Sequence, residues 1–149
     1  MVRLRKLIDE YWAWTGLPKD LWGKIDIVYT AKDSVWFPGI KDVCVQCIQM
    51  VNQVLSPDEI EDFLFGMALN AEDEDILDYC KVFADKSFIS TIVATGVTFG
   101  QSEARWQIAE LLRKDILGRD NYLSVLQQDA DEYVRRRTAN VIEDIRNNT

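Results

Sequence analysis

Cys44 and Cys47 stand three residues apart in "VCVQCIQM", a spacing that serves dithiol redox chemistry or, with further ligands, a metal site. Their surroundings argue against both. Ile40, Val43, Cys44, Cys47, Ile48, Val51, Val54 and Leu55 recur at intervals of three and four, which puts both thiols mid-helix on an apolar stripe, where cysteine behaves as a small hydrophobe. Cys80 is the only other thiol and the chain has no histidine, so no tetrahedral metal set can be completed. The absence of histidine also excludes Ser-His-Asp and Cys-His nucleophiles and imidazole acid/base chemistry. Carboxylate, Lys, Tyr or Cys chemistry stays open, but no motif for it stands out, and no cofactor is implied.

The acidic residues carry more information. Net charge is −8, and residues 56–80 hold nine Asp/Glu and no Lys or Arg: Asp58, Glu59, Glu61, Asp62, Glu72, Asp73, Glu74, Asp75 and Asp78. Elsewhere the charges nearly balance, with seven basic against six acidic residues in 1–55 and ten against ten in 81–149. The run Glu72 to Asp75 lacks the glycine turn and the twelfth-position glutamate of an EF-hand. Acids at a helix start gain about 0.3–1 kcal/mol each from the macrodipole, which accounts for two or three of them and not for nine. A basic protein partner is the reading that gives the excess a use. Nucleic acid would be repelled, since its binding needs clustered Lys/Arg.

Two further groups stand out. Trp12, Trp14, Trp22 and Trp36 lie beside Tyr11, Tyr29 and Phe37 near the N-terminus, as an aromatic cap on a helical stack or as a stacking platform. Trp106 falls at an outward-tending helical position and is expected to be exposed, completing a partner-binding set with the nine acids. Arg135, Arg136 and Arg137 form a basic cluster too small for a nucleic-acid groove.

The elements that must position these groups read as helices almost throughout. Apolar spacing predicts helices over 3–14, about 40–55, 57–69, 73–84, 87–95, 102–115, 120–128 and 131–146. Ser56, Pro57 and Glu59 make a capping box before the third of these. Residues 25–30 fit helix and strand alike. Short connections predict three antiparallel hairpins: 57–69 with 73–84, 87–95 with 102–115, and 120–128 with 131–146. No run of about 18 apolar residues is present, and the charged start "MVRLRKLIDEYWAW" is unlike a signal peptide, so a cytoplasmic single domain, 1–149, is expected.

One stretch is echoed. "SEARWQIAELLRK" and "EYVRRRTANVIED" align with Ala104 on Val134, Arg105 on Arg135, Ile108 on Thr138, Ala109 on Ala139, Leu111 on Val141 and Leu112 on Ile142. Stacked helix pairs require such a fixed interval, because one pair cannot bury its apolar face alone. Asp131, Val134, Arg135 and Ala139 resemble the HEAT repeat in its shorter, bilin-lyase-type form. The preceding copy keeps Arg105 and Ala109 but has Gln101 in place of the aspartate. The resemblance covers 102–146 and extends less strictly to 57–146. It implies an all-α solenoid of antiparallel hairpins over 56–149, closed by capping helices in 1–55. It also implies a binding protein rather than an enzyme. In size and acidic charge the chain resembles immunity or inhibitor-type proteins, which mask a basic partner such as a toxin nuclease. A scaffold that binds through apolar contacts and a HEAT-like DNA glycosylase are the alternatives; the acidic charge speaks against the second.

Overall fold

The computed structural model describes residues 2–17 and 37–148; the expectations for 19–31, with Trp22, Tyr29 and Trp36, fall outside these. The described residues contain eight α-helices and no strand. They are α1 (Val2–Thr15), α2 (Ile40–Met50), α3 (Pro57–Leu69), α4 (Asp75–Phe83), α5 (Lys86–Gly96), α6 (Ser102–Leu111), α7 (Arg119–Gln127) and α8 (Glu132–Asn147).

Local chemistry sets most of the boundaries. The Ser56 hydroxyl accepts from Glu59 N at 3.2 Å while Ser56 N donates to the Glu59 carboxylate at 3.0 Å, the reciprocal box that starts α3. Asp85 and Asp131 start α5 and α8 by accepting from Phe88 N and Val134 N. Three helices are shorter than their apolar spacing predicts. α2 ends at Met50 rather than near 55, because Asn52 turns left-handed (φ 68°) and its side chain clamps the α4–α5 junction. Its Nδ2 donates to Phe83 O and its Oδ1 accepts from Asp85 N, both at 2.8 Å. α4 begins at Asp75 rather than 73, after Glu74 at φ 59°, with the buried Asn70 accepting from Ile76 N at 3.0 Å. α6 yields to tight turns after Leu111, where Arg113 N bonds Glu110 O and Lys114 N bonds Leu111 O.

α3 and α6 are the hubs. α3 packs against α1, α2, α5 and α6, and α6 against α3, α4, α5, α7 and α8. The helices of 87–95 with 102–115 and of 120–128 with 131–146 are neighbours, as expected. The hairpin expected between 57–69 and 73–84 is not a principal contact: α4 lies on α2 and α6 instead. Two glycines permit the close approaches. A methyl on Gly66 would meet Cys47 Sγ at 2.3 Å, and one on Gly96 would meet Ile108 Cγ1 at 2.5 Å, so the paired helices approach nearly backbone to side chain.

At the N-terminal end Tyr11 joins Trp12, Trp14, Phe37 and Phe65, with ring centroids 5.5 to 6.1 Å apart. The 30-residue echo has a counterpart in hydrogen bonding: Arg105 Nη1 donates to Phe99 O at 2.8 Å, and Arg135 Nη1 donates to Asp129 O at 2.7 Å, each six residues back. Ala104 and Val134, Ile108 and Thr138, Leu111 and Val141 are buried alike, whereas Ala109 is buried and Ala139 exposed.

Gly66 allows a direct test of the α2–α3 approach. Alanine gains about 1 kcal/mol over glycine inside a helix, but a methyl wedged against Cys47 costs about 1–3 kcal/mol. Gly66→Ala is expected to lower the urea midpoint, and the same change in a Cys47→Ala background to lower it less or raise it. A more stable single variant would show that the two helices do not meet at this point.

Candidate partner-binding site

The nine acids of 56–80 do not form one face. α3 has 13 residues and is roughly 20 Å long at 1.5 Å per residue, which sets Asp58, Glu59 and Glu61 at the opposite end from Glu72–Asp78. Glu59 is engaged in the capping box, where the Ser56 backbone N–H holds its carboxylate below the usual range. Asp62 is 3% exposed and serves the core. It takes Arg5 Nε at 2.8 and 3.0 Å, tying α1 to α3, and burial raises its pKa even against that partner. Glu72, Asp73, Asp75 and Asp78 remain exposed around the α3–α4 turn, and Glu74 is half-buried.

Trp106 also departs from expectation, being 5% exposed rather than outward-facing. α8 supplies the cover: the Arg137 guanidinium lies 4.4 Å from the Trp106 ring centroid, and Tyr133 meets the ring edge-on at 5.7 Å. Its Nε1 donates to Glu103 Oε2 at 3.0 Å. The residues that hide Trp106 are some thirty positions further on, so no local pattern reveals them.

These parts converge on an open cleft of about 490 Å³ lined by Ala71, Glu72, Glu74, Glu103, Trp106 and Tyr133. Three of its described lining residues are carboxylates. Glu103 is absent from the sequence-based set, yet the signal existed: positions 73, 103 and 133 are 30 apart, the interval of the echo, and they stand near the starts of α4, α6 and α8.

A second cleft, of about 600 Å³, adjoins at the Arg137–Trp106 contact and is lined by Lys81, Glu110, Arg113, Arg137, Asn140, Glu143 and Asp144. Its floor is Glu110, 4% exposed, which accepts from Arg137 Nε at 2.8 Å and Arg113 Nε at 2.9 Å. Arg113 Nη1 also donates to Asp144, and Arg137 Nη1 to the Tyr133 hydroxyl at 2.7 Å. Burial pushes the Glu110 carboxyl up, but the two arginines outweigh it and hold it below its usual value. Three cations and three anions line this cleft, so it has little charge to offer a ligand.

The thiols are placed as core groups. Cys47 is wholly buried, and burial drives its pKa well up; Cys80 is pushed up to about 12 and Cys44, half-buried, is raised as well. Among the described residues no group of three or more His, Cys, Asp or Glu side chains is placed to hold a metal ion, and no helix is long and apolar enough to cross a membrane. Comparison with protein-family models, curated proteins and solved structures gave no match.

Two measurements follow from this geometry. Because the folded Glu110 pKa is depressed, its stabilisation is present above the ordinary glutamate value and is lost as pH falls through the lower folded value. Glu110→Gln is expected to cost about 2 kcal/mol at neutral pH, below the range for a fully buried pair because both arginines are partly open to solvent. The variant should also lose less stability on acidification than the native chain; equal acid slopes would show that Glu110 stays unpaired. For the thiols, a maleimide reagent at mildly alkaline pH is expected to label Cys44 slowly and Cys47 and Cys80 only as fast as the chain opens. Prompt labelling of Cys47 would overturn its core placement.

Proposed function

We propose that this chain is a non-enzymatic protein-binding module, an acidic protein of the immunity or inhibitor type that masks a basic partner such as a toxin nuclease in a reducing cytoplasm. The observation that carries the reading is the α3–α4 turn, where Glu72, Asp73, Asp75 and Asp78 stand exposed and none has an ion pair among the described residues. Three nearly buried acids are matched: Asp62 with Arg5, Asp129 with Arg105, Glu110 with Arg113 and Arg137. Charge left unmatched repels itself and weakens the fold, and a basic partner turns that cost into faster encounter. A phosphate backbone would meet repulsion there, which disfavours a DNA glycosylase.

The architecture we infer is a short stack of HEAT-like helix pairs. It is supported by the succession α2 on α4, α4 on α6 and α6 on α8, beside α1 on α3 and α3 on α5, and by the matching Arg105 and Arg135 hydrogen bonds. The scaffold reading keeps one observation in its favour. Val54, Val82 and Phe83 are strongly exposed, and the Asn52 clamp brings their two segments together. Trp106 is too buried to serve that reading.

The test neutralises the turn. Proteins retained at low salt by the tagged native chain, but not by the variant Glu72→Gln, Asp73→Asn, Glu74→Gln, Asp75→Asn, are identified and one is purified for kinetics. Its association rate with the native chain should fall at least about tenfold between roughly 20 and 200 mM salt, as the Debye length shrinks below about 10 Å. The variant, with its helical circular dichroism intact, should associate slowly at low salt and respond weakly to added salt. Equal rates for native and variant at low salt would reject the acidic docking face.

A further inference from the structure

We propose that two copies of this chain associate through α4 and the turn after α2, in a two-fold contact that lays the two α4 helices antiparallel. This contact is separate from the acidic docking face and stands or falls without it. It begins from an apolar surface that two distant segments assemble. Val82 and Phe83 at the end of α4 are 71% and 59% exposed, and Val54, after α2, is 101% exposed. The Asn52 side chain bonds Phe83 O and Asp85 N, both at 2.8 Å, which sets Val54, two residues on, beside the α4 terminus. The half-buried Tyr79 adds its ring, 4.7 Å from that of Phe83 between centroids.

Single exposed valines are ordinary on a protein surface. Four apolar side chains gathered by a hydrogen-bonded clamp are a patch, and with an aromatic side chain presenting about 200 Å² when open, they offer roughly 400 Å². Patches of that size on monomers are often contact sites.

The charges around the patch select its occupant. α4 carries Asp75 and Asp78 in its first turn and Lys81 in its last, and Lys86 opens α5 directly after it. Asp78, Lys81 and Lys86 are exposed, and none has an ion pair among the described residues. At about 100° per residue, Asp78, Lys81 and Val82 share the open side of α4, opposite the buried Ile76, Leu77 and Cys80. A basic protein on this surface meets Lys81 and Lys86, and an acidic one meets Asp78. A second α4 turned end for end meets neither obstacle. The Asp78 end of each copy then faces the Lys81–Lys86 end of the other, with the apolar side chains between them. Two-fold symmetry makes the match twice, as a self-complementary interface requires. Antiparallel helices also set their macrodipoles in favourable opposition. Glu72, Asp73 and Glu74 precede α4 and stay outside the contact, so each copy keeps them for a basic partner.

The experiment follows the mass of the full chain by sedimentation and light scattering from about 5 to 500 μM at near-physiological salt. A contact of this area sits at the weak end of the interface scale, so the mass is expected to rise from one chain to two with a midpoint at about 10–100 μM and to stop there. Val82→Glu, with its helical circular dichroism intact, should remain a single chain throughout, whereas Leu117→Glu, the same kind of change at an exposed residue beyond α6, should dimerise like the native chain. Lys81→Glu is expected to weaken the dimer by about tenfold, and Asp78→Lys in the same chain to restore it. Arg136→Glu, an equal change of charge on α8, should have little effect. A native chain that stays single at 500 μM, a mass that climbs past two chains, or an undiminished Val82→Glu dimer would overturn the proposal. So would a doubly exchanged chain that associates no better than Lys81→Glu alone, since the two α4 helices would then not lie antiparallel.

Discussion

Phe63, Leu64, Phe65, Met67 and Ala68 are five fully buried residues in six consecutive positions, and they leave α3 almost no face for water. A helix that is apolar all round must be wrapped by others, and the rest of the architecture answers that requirement. α1, α2, α5 and α6 close on it, Gly66 brings α2 close enough to seat Cys47 against its backbone, and Gly96 does the same for α5 against Ile108 of α6. Burial on this scale outweighs the charged contacts, since each large apolar side chain contributes about 1.5–3 kcal/mol, and an exposed ion pair contributes about 0–1 kcal/mol. The ion pairs select among packings that burial already favours.

That division of labour explains where the charges go. Arg5 with Asp62 fixes α1 on α3, Arg105 with Asp129 fixes the α7–α8 turn on α6, and Glu110 with Arg113 and Arg137 fixes α8 on α6. Each joins segments distant in sequence or a helix to its neighbour in the row, with a carboxylate that is nearly buried. Acids with such a partner are part of the fold. Those around the α3–α4 turn have none of comparable geometry, which is why a surface with the same formal charge has different meanings at the two ends of α3.

How much of this was legible in the sequence depends on how far away the determining residue lies. The bounds of α3 could be read, because Ser56, Pro57 and Glu59 are adjacent and enact their own box. α2 was read too long, because Asn52 is ended by atoms of Phe83 and Asp85, thirty residues on, and the apolar stripe runs through the clamp without a break. The reading of Trp106 failed for the same cause: helical phase says which side of α6 it occupies, while Arg137 and Tyr133 decide whether that side is open. The acidic segment is visible as a composition, but its division between fold and surface is not. Asp62 looks like its neighbours until Arg5 is brought to it, and Glu103 looks isolated until α4 and α6 lie side by side.

The 30-residue interval links those failures to the proposed site. Helices stacked side by side bring their starts together, so residues one interval apart become neighbours whatever the chain does between them. Glutamates before α4 and at the start of α6, and Tyr133 at the start of α8, are neighbours in this sense. The helix starts also carry the positive ends of their dipoles, which steadies carboxylates gathered there by a few tenths to about 1 kcal/mol each. Carboxylates gathered at one cleft can therefore be steadied by the fold's own dipoles. Glu110, ten or so ångströms along α6 at about 1.5 Å per residue, has given its charge to Arg113 and Arg137 and so to the fold.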